Sequence, residues 1–321
     1  VPTIFGSSVD GTKIHAQGAA ECTRVIPHDY IIMSRLPGVP LDSVWDNMSL
    51  AERKQVVDQV AEVFARLRSI QLSAIGNFVR GPNGRPIVGP MMEGSSDGED
   101  EGEGRRRGPF PSWSAFVVTN IKQEIKYMLQ SENKFVETTA YLLRIETLIN
   151  TIESGDLERR FGSGSTKMDT LPEGVEQSIS FLHGDFESRN MLVVGTKIVG
   201  LLDFEFAGGF PSEQEWCAGF EWLMARAEDP FDEGEQEKLR NMSDDQRELL
   251  EYFLRILKDK YGLQPYGKDH QEYKVVLYHL QVNIAPWWLR DTSREDWTEK
   301  QTQSMKTAAD SLDRALKYLR C

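Results

Sequence analysis

The chain has 321 residues, with 50 acidic against 37 basic side chains and a formal charge of −13. That length allows two lobes with a sizeable core, and 40% hydrophobic with 27% charged residues is a globular rather than a disordered or fibrous composition. The acidic balance argues against nucleic acid or an anionic membrane as the principal partner, because polyanions require a basic face.

The cysteines, Cys22, Cys217 and Cys321, lie far apart. They supply neither a disulfide framework nor a Cys-based zinc site, and they fit a reducing cytosol. The first residues carry no signal-peptide pattern. No window approaches the roughly 20 apolar residues of a membrane span. The most apolar late stretch, Val275 to Leu289, is interrupted by His279, Gln281, Asn283 and Pro286. A soluble, cytoplasmic protein is expected.

In chain order, Val1 to Phe5 is a short apolar strand, followed by a Gly/Ser/Asp turn region through Gly11. Tyr30-Ile31-Ile32-Met33 is a compact β-branched run ended by Pro37-Gly38. Ser49 and Glu52 have capping-box spacing, and Val56, Val60, Val63, Phe64, Leu67 and Ile70 behind them predict an amphipathic helix. Residues 93–107 hold six acidic residues and then Arg105-Arg106-Arg107. Such a tract buries too little apolar surface to offset its ordering entropy and reads as a disordered insertion. Trp113 to Leu129 and Phe135 to Ile152 read as helices. Ser178 to Leu182 is a strand running into His183-Gly184-Asp185. Met191 to Val194 and Lys197 to Leu202, separated by Gly195-Thr196, predict a hairpin. From Pro211 to Cys321 the pattern is helical.

Chemistry concentrates between Phe181 and Glu205. Asp185 lies in a polar loop after a strand, Asn190 at the start of the first hairpin strand, and Asp203 at the end of the second. A hairpin brings its outer ends together, so Asn190 and Asp203 should be neighbours near Asp185. An amide oxygen and a carboxylate are hard ligands that suit a partly hydrated Mg²⁺ carrying phosphate oxygens. Asp185 is then left to accept the proton of a substrate hydroxyl. These are the parts that phosphoryl transfer from ATP requires. Any one of these residues alone would more commonly cap a turn; the three at this spacing point to chemistry.

His183-Gly184-Asp185 with Asn190, then Leu201-Leu202-Asp203-Phe204-Glu205, resembles the catalytic motif and metal segment of the aminoglycoside phosphotransferase/choline kinase group. The likeness is closest to fungal members. Tyr30 to Gly38 resembles the strand and hinge that hold adenine, followed by Leu41-Asp42 and Trp45. Gly108-Pro109-Phe110 and Asp203 to Gly208 with Pro211 are similar as well.

The resemblance implies an α+β, protein-kinase-like two-lobed fold, with a truncated β-rich N-lobe over 1–36 and a large, mainly helical C-lobe over 37–321. It implies a catalytic loop at 183–190 and a metal segment at 203–205. It makes Asp185 the catalytic base or hydroxyl-orienting residue, and Asn190 and Asp203 the Mg²⁺ ligands. Backbone groups of Ser34 and Leu36, beside Met33, would hold the adenine of ATP. His183 would brace the loop through hydrogen bonds. Glu205 either reaches the metal or caps a turn, and Arg189 either meets phosphate or faces outward.

The sequence departs from the group before the hinge. A kinase-like small lobe opens with a phosphate-covering loop and a strand bearing a lysine. Here Lys13, the one lysine ahead of Met33, lies in a Gly/Asp-rich turn. Either the start of the N-lobe is missing or the protein is natively degraded. Gly162 to Lys167 is no substitute, because a P-loop needs Lys directly after its last Gly, between a strand and a helix.

The expected function is an ATP- and Mg²⁺-dependent phosphotransferase acting on a small-molecule hydroxyl. The alternative is a non-catalytic, pseudokinase-type module that binds a nucleotide or a partner. Gly184 beside the aspartate and Asp-Phe-Glu in the metal segment disfavour a protein kinase. A metal-dependent phosphohydrolase would need more His/Asp ligands than His15/His28 and His270/His279 provide. Residues 228–260 hold eleven acidic and six basic side chains. They either steer a cationic alcohol or form a solvated helix face. Trp287-Trp288 either supplies an aromatic wall for such a cation or packs in the core.

Overall fold

A computed structural model describes residues 4–8, 30–81, 85–92, 106–131, 133–162, 179–211, 214–215, 241–263 and 272–321. Its elements begin with β1 (Ile4–Ser8), β2 (Tyr30–Met33), β3 (Val39–Pro40), α1 (Asp42–Trp45) and α2 (Leu50–Arg68). Next come β4 (Gly76–Arg80), β5 (Pro86–Val88), β6 (Met91–Met92), β7 (Arg106–Arg107), α3 (Trp113–Gln130), α4 (Val136–Thr139), α5 (Leu142–Glu153) and α6 (Asp156–Gly162). β8 (Ile179–Leu182), β9 (Met191–Val194), β10 (Lys197–Leu201) and β11 (Gly208–Pro211) precede α7 (Asp244–Tyr261), α8 (Glu272–Ile284) and α9 (Glu299–Tyr318). The chain is therefore α+β, with small antiparallel sheets and mostly helical later parts. No helix among the described residues is long and apolar enough to cross a membrane.

The chain divides into two compact units, Val1–Gln59 with Ser188–Asp203, and Val60–Glu187 with Phe204–Cys321. In the first unit β1 pairs antiparallel with β2, from Ile4 opposite Met33 to Ser8 opposite Tyr30. The strand thus runs on into Gly6-Ser7-Ser8, further than the apolar residues alone predict. The β-branched run of β2 offers a backbone ladder that polar residues can join, since strand preference depends on the partner surface. β3, β9 and β10 form a second sheet, in the order β10-β9-β3. The hairpin turns at Gly195, with φ 59°, as the Gly195-Thr196 signal predicts. At Gly38, φ is 108° and a Cβ would lie 2.5 Å from the Val193 carbonyl oxygen, so only glycine lets the chain cross β9 there.

α2 begins at the predicted capping box. The Ser49 amide donates to Glu52 Oε2 at 2.8 Å, and the Glu52 amide donates to Ser49 Oγ at 3.4 Å. The Ser49 hydroxyl and amide hold the Glu52 carboxyl below the usual carboxylate range.

The second unit holds a four-stranded antiparallel sheet in the order β5-β4-β11-β8. It also holds a core that includes Phe116, Ile121, Leu148, Leu182, Phe210, Leu277 and Leu312. α7 and α9 each start at a capping box, Ser243 with Gln246 and Thr298 with Gln301. Two sequence expectations change here. The helix expected over 135–152 is broken into α4 and α5. Thr138 and Thr139 hydroxyls both donate to the Phe135 carbonyl at 3.0 Å, and Thr138 also reaches the Ile284 carbonyl at 2.8 Å. Such side-chain bonds compete with helix continuation. Pro211, read as the start of the helical region, ends strand β11 opposite Ile179.

Of the acidic insertion, residues 93–105 lie outside the described residues. Arg106 and Arg107 pair with Met92 and Met91. Lys13, Cys22, Cys217, His15, His28, His270 and residues 163–167 also lie outside them.

Candidate active site

In the first unit, the hairpin of β9 and β10 is held on α2 by side-chain amides. Gln59 Nε2 donates to the Thr196 carbonyl at 2.7 Å, and Gln59 Oε1 accepts from the Ile198 amide at 3.0 Å. The Leu41 amide donates to the Met191 carbonyl at 2.8 Å, anchoring the start of β9. Just before β9, Ser188 to Asn190 form a 3-10 turn that leaves Asn190 buried. The Leu202 amide donates to the Asn190 carbonyl at 2.8 Å, so Asn190 and the residue before Asp203 are hydrogen-bonded neighbours. The hairpin closes its outer ends as its spacing predicts.

Asp203 is exposed and has φ 62°, a left-handed conformation that Asp tolerates better than bulkier residues. An amide oxygen and an exposed carboxylate fit Mg²⁺, which takes hard oxygen ligands and keeps several waters. Ser34 and Leu36 follow β2, and the Leu36 side chain covers Gly200, where a Cβ would meet Leu36 Cδ1 at 2.5 Å. Met33 is the last residue of β2.

In the second unit, β8 delivers His183, Gly184 and Asp185. His183 is fully buried, and its Nδ1 accepts from the Asp185 amide at 3.3 Å, so the ring proton belongs on Nε2. Its ring lies 4.4 Å from that of Phe204. His183 braces the turn. Gly184 has φ 85°. Phe186 is buried against Phe64 of α2, with ring centroids 6.1 Å apart, and Phe64 also meets Phe253 of α7. The Glu187 amide donates to the Asp185 carbonyl at 2.9 Å. Asp185 itself is half-buried, whereas Arg189 in the first unit and Glu205 in the second are exposed.

Sequence reasoning missed one pair. Glu215 is buried, and its Oε1 accepts from the amides of His183 at 2.9 Å and Gly184 at 3.1 Å. Its Oε2 meets Arg68 Nη2 at 2.5 Å, and Arg68 Nη1 donates to the Phe181 carbonyl at 2.8 Å. One signal was present. Arg68 extends the buried stripe Val60-Phe64 by one further turn of α2, and a charge in such a stripe demands a partner. Nothing local marks Glu215 in its polar run.

The sequence matches APH, the phosphotransferase enzyme family, over residues 12–212, more than half of the chain. The chain belongs to this family. The architecture above is α+β, as the resemblance implies, and Asp185, Asn190 and Asp203 all fall within the matched range.

No curated protein matches the sequence. Among solved structures, apo aminoglycoside phosphotransferase APH(4)-Ia, a thermostable mutant, is similar at 17% identity and a TM-score of 0.41, over 90% of this chain and 72% of that one. A ternary complex of a thermostable mutant of the same enzyme with ADP and hygromycin B is similar at 15% identity and a TM-score of 0.43, over 99% and 76%. ADP-bound APH(2'')-Ib is similar at 13% identity and a TM-score of 0.42, over 97% and 76%. Scores this low carry no weight for function; membership rests on the family match.

The residues considered for acceptor binding lie in the second unit. Trp287 and Trp288 sit on a 3-10 turn, 66% and 40% exposed, rather than in the core. Trp288 Nε1 donates to Ser304 Oγ at 3.0 Å. Of the acidic stretch 228–260, residues 241–260 are described and lead into α7. Among the described residues no group of three or more His, Cys, Asp or Glu side chains is arranged to hold a metal.

Proposed function

We propose that the protein is an ATP- and Mg²⁺-dependent phosphotransferase that phosphorylates a hydroxyl of a small molecule. The observation that carries this reading is the joining of Asn190 to the Leu202-Asp203 segment by the 2.8 Å backbone bond, in a chain of the APH family. Asn190 and Asp203 would hold Mg²⁺, which when bound neutralises phosphate charge.

In this reading Asp185 accepts the proton of the acceptor hydroxyl, and the oxygen so released bonds to the γ-phosphorus of ATP as ADP leaves. His183 keeps Asp185 in place by accepting from its backbone amide. Backbone groups of Ser34 and Leu36, beside Met33, hold the adenine edge. An acceptor carrying positive charge, as aminoglycosides and choline-like alcohols do, suits a chain of charge −13.

Isothermal titration of ATP into the protein, with and without Mg²⁺, tests the reading. Saturable binding that strengthens with Mg²⁺ is expected. Absence of nucleotide binding in both titrations would overturn it in favour of a non-catalytic partner-binding module.

A further inference from the structure

The turn that carries Asp185 has no regular secondary structure, yet its backbone is held by one buried ion pair. Glu215 Oε1 accepts from two successive amides, His183 and Gly184, while Arg68 binds Glu215 Oε2 and the Phe181 carbonyl. Both side chains are almost wholly buried, 4% exposed for Arg68 and 1% for Glu215. Arg68 also lies over the Phe64 ring, 4.3 Å from its centroid, and Phe64 packs on Phe186. The residues on either side of Asp185 are therefore fixed to the same pair, Gly184 directly and Phe186 through Phe64.

Burying two charges is expensive, and an apolar pair of similar volume would often serve stability as well or better. Retaining the pair makes sense if it supplies something packing cannot, and two convergent backbone amides need a hydrogen-bond acceptor. We infer that Glu215, held by Arg68, is a positioning residue for phosphoryl transfer, setting the His183-Gly184 backbone so that Asp185 is presented correctly.

The inference rests on the role proposed for Asp185, and two double variants test it. Arg68→Met with Glu215→Leu removes the charges and the acceptor together. Arg68→Met with Glu215→Gln removes the charges but keeps an acceptor for the two amides. Both remove the ion pair without stranding a buried charge, so both should fold.

Mg-ATP hydrolysis, with water standing in for the acceptor, gives the kinetic readout. The Leu variant should lose about 10- to 100-fold in kcat, the scale of a small misplacement of a reacting group, with KM for ATP little changed. The Gln variant should recover most of that loss. Equal kcat in the two variants would show a merely structural role and overturn the inference.

Hydrogen exchange gives a readout free of turnover. The His183 and Gly184 amides should exchange faster in the Leu variant than in the Gln variant, with core amides such as Leu148 unchanged. Equal exchange at His183 and Gly184 would likewise overturn the inference. If wild-type hydrolysis is absent, or Asp185→Asn leaves it intact, the function proposed for Asp185 fails, and exchange alone still decides whether Glu215 sets this backbone.

Discussion

A Cβ at Gly184 would lie 2.5 Å from the carbonyl oxygen of Phe206. The segment after Asp203 thus closes directly over the turn that bears Asp185, and it can do so only over a glycine. The φ of 85° at Gly184 adds a second barrier to any side chain.

Gly184→Ala should therefore lose about 1–3 kcal/mol of stability from backbone strain alone. Urea denaturation of the variant and the wild type measures this. An unchanged midpoint would mean that the turn relaxes without the close approach described.

Phe64 ties three elements together, since its ring meets Phe186 beside the turn that bears Asp185 and Phe253 of α7. It is 1% exposed. Phe64→Ala should cost about 3–5 kcal/mol, as expected for an aromatic lost from a packed core. Thermal unfolding followed by circular dichroism should show a clearly lowered Tm.

Acid should weaken the helical part of the second unit through a defined pair. Arg294 binds Glu137 through both nitrogens of its fork and also donates to the Lys134 carbonyl at 2.7 Å. The Arg294 hydrogen bonds hold the Glu137 carboxyl below its ordinary value of 4.5. A carboxyl lowered in the folded state stabilises above its unfolded pKa, and that contribution is lost as pH falls through the folded value. Tm measured from neutral pH downward should fall below about pH 4.5. Glu137→Gln should flatten part of that decline and lower Tm at neutral pH. An identical acid limb in the variant would remove Glu137 from the explanation.

How much of this was legible in the sequence depended on whether the signal was local. The capping box of Ser49 and Glu52 and the Gly195-Thr196 turn are written within a few residues, and both elements formed where expected. The closeness of Asn190 and Asp203 followed from the hairpin between them. Strand β11 was not legible, because Gly208 and Gly209 show no alternation. They are there for close approach, a Cβ at Gly208 falling 2.2 Å from the Gly76 carbonyl oxygen and one at Gly209 2.4 Å from that of Ala74. Arg68 and Glu215 meet across 147 residues of chain, and no spacing rule reaches that far.

Asp203 should matter for nucleotide binding through the metal alone. Asp203→Asn keeps the side-chain size and tolerates the left-handed backbone, while removing the charge a divalent cation requires. The strengthening of ATP binding by Mg²⁺ should disappear, leaving whatever affinity ATP has without metal. Isothermal titration that gave the same Mg-ATP affinity for variant and wild type would show that the ligand assignment is wrong.

The central claim is phosphoryl transfer to a hydroxyl with Asp185 as the proton acceptor. Phosphorus NMR of the protein with ATP, Mg²⁺ and an aminoglycoside or choline as acceptor measures it directly. A phosphate-ester resonance should grow as ATP is converted to ADP, and Asp185→Asn should slow it about 100-fold or more, as for loss of a general base. No ester from either acceptor, or an ester formed equally fast by the Asn variant, would contradict the account.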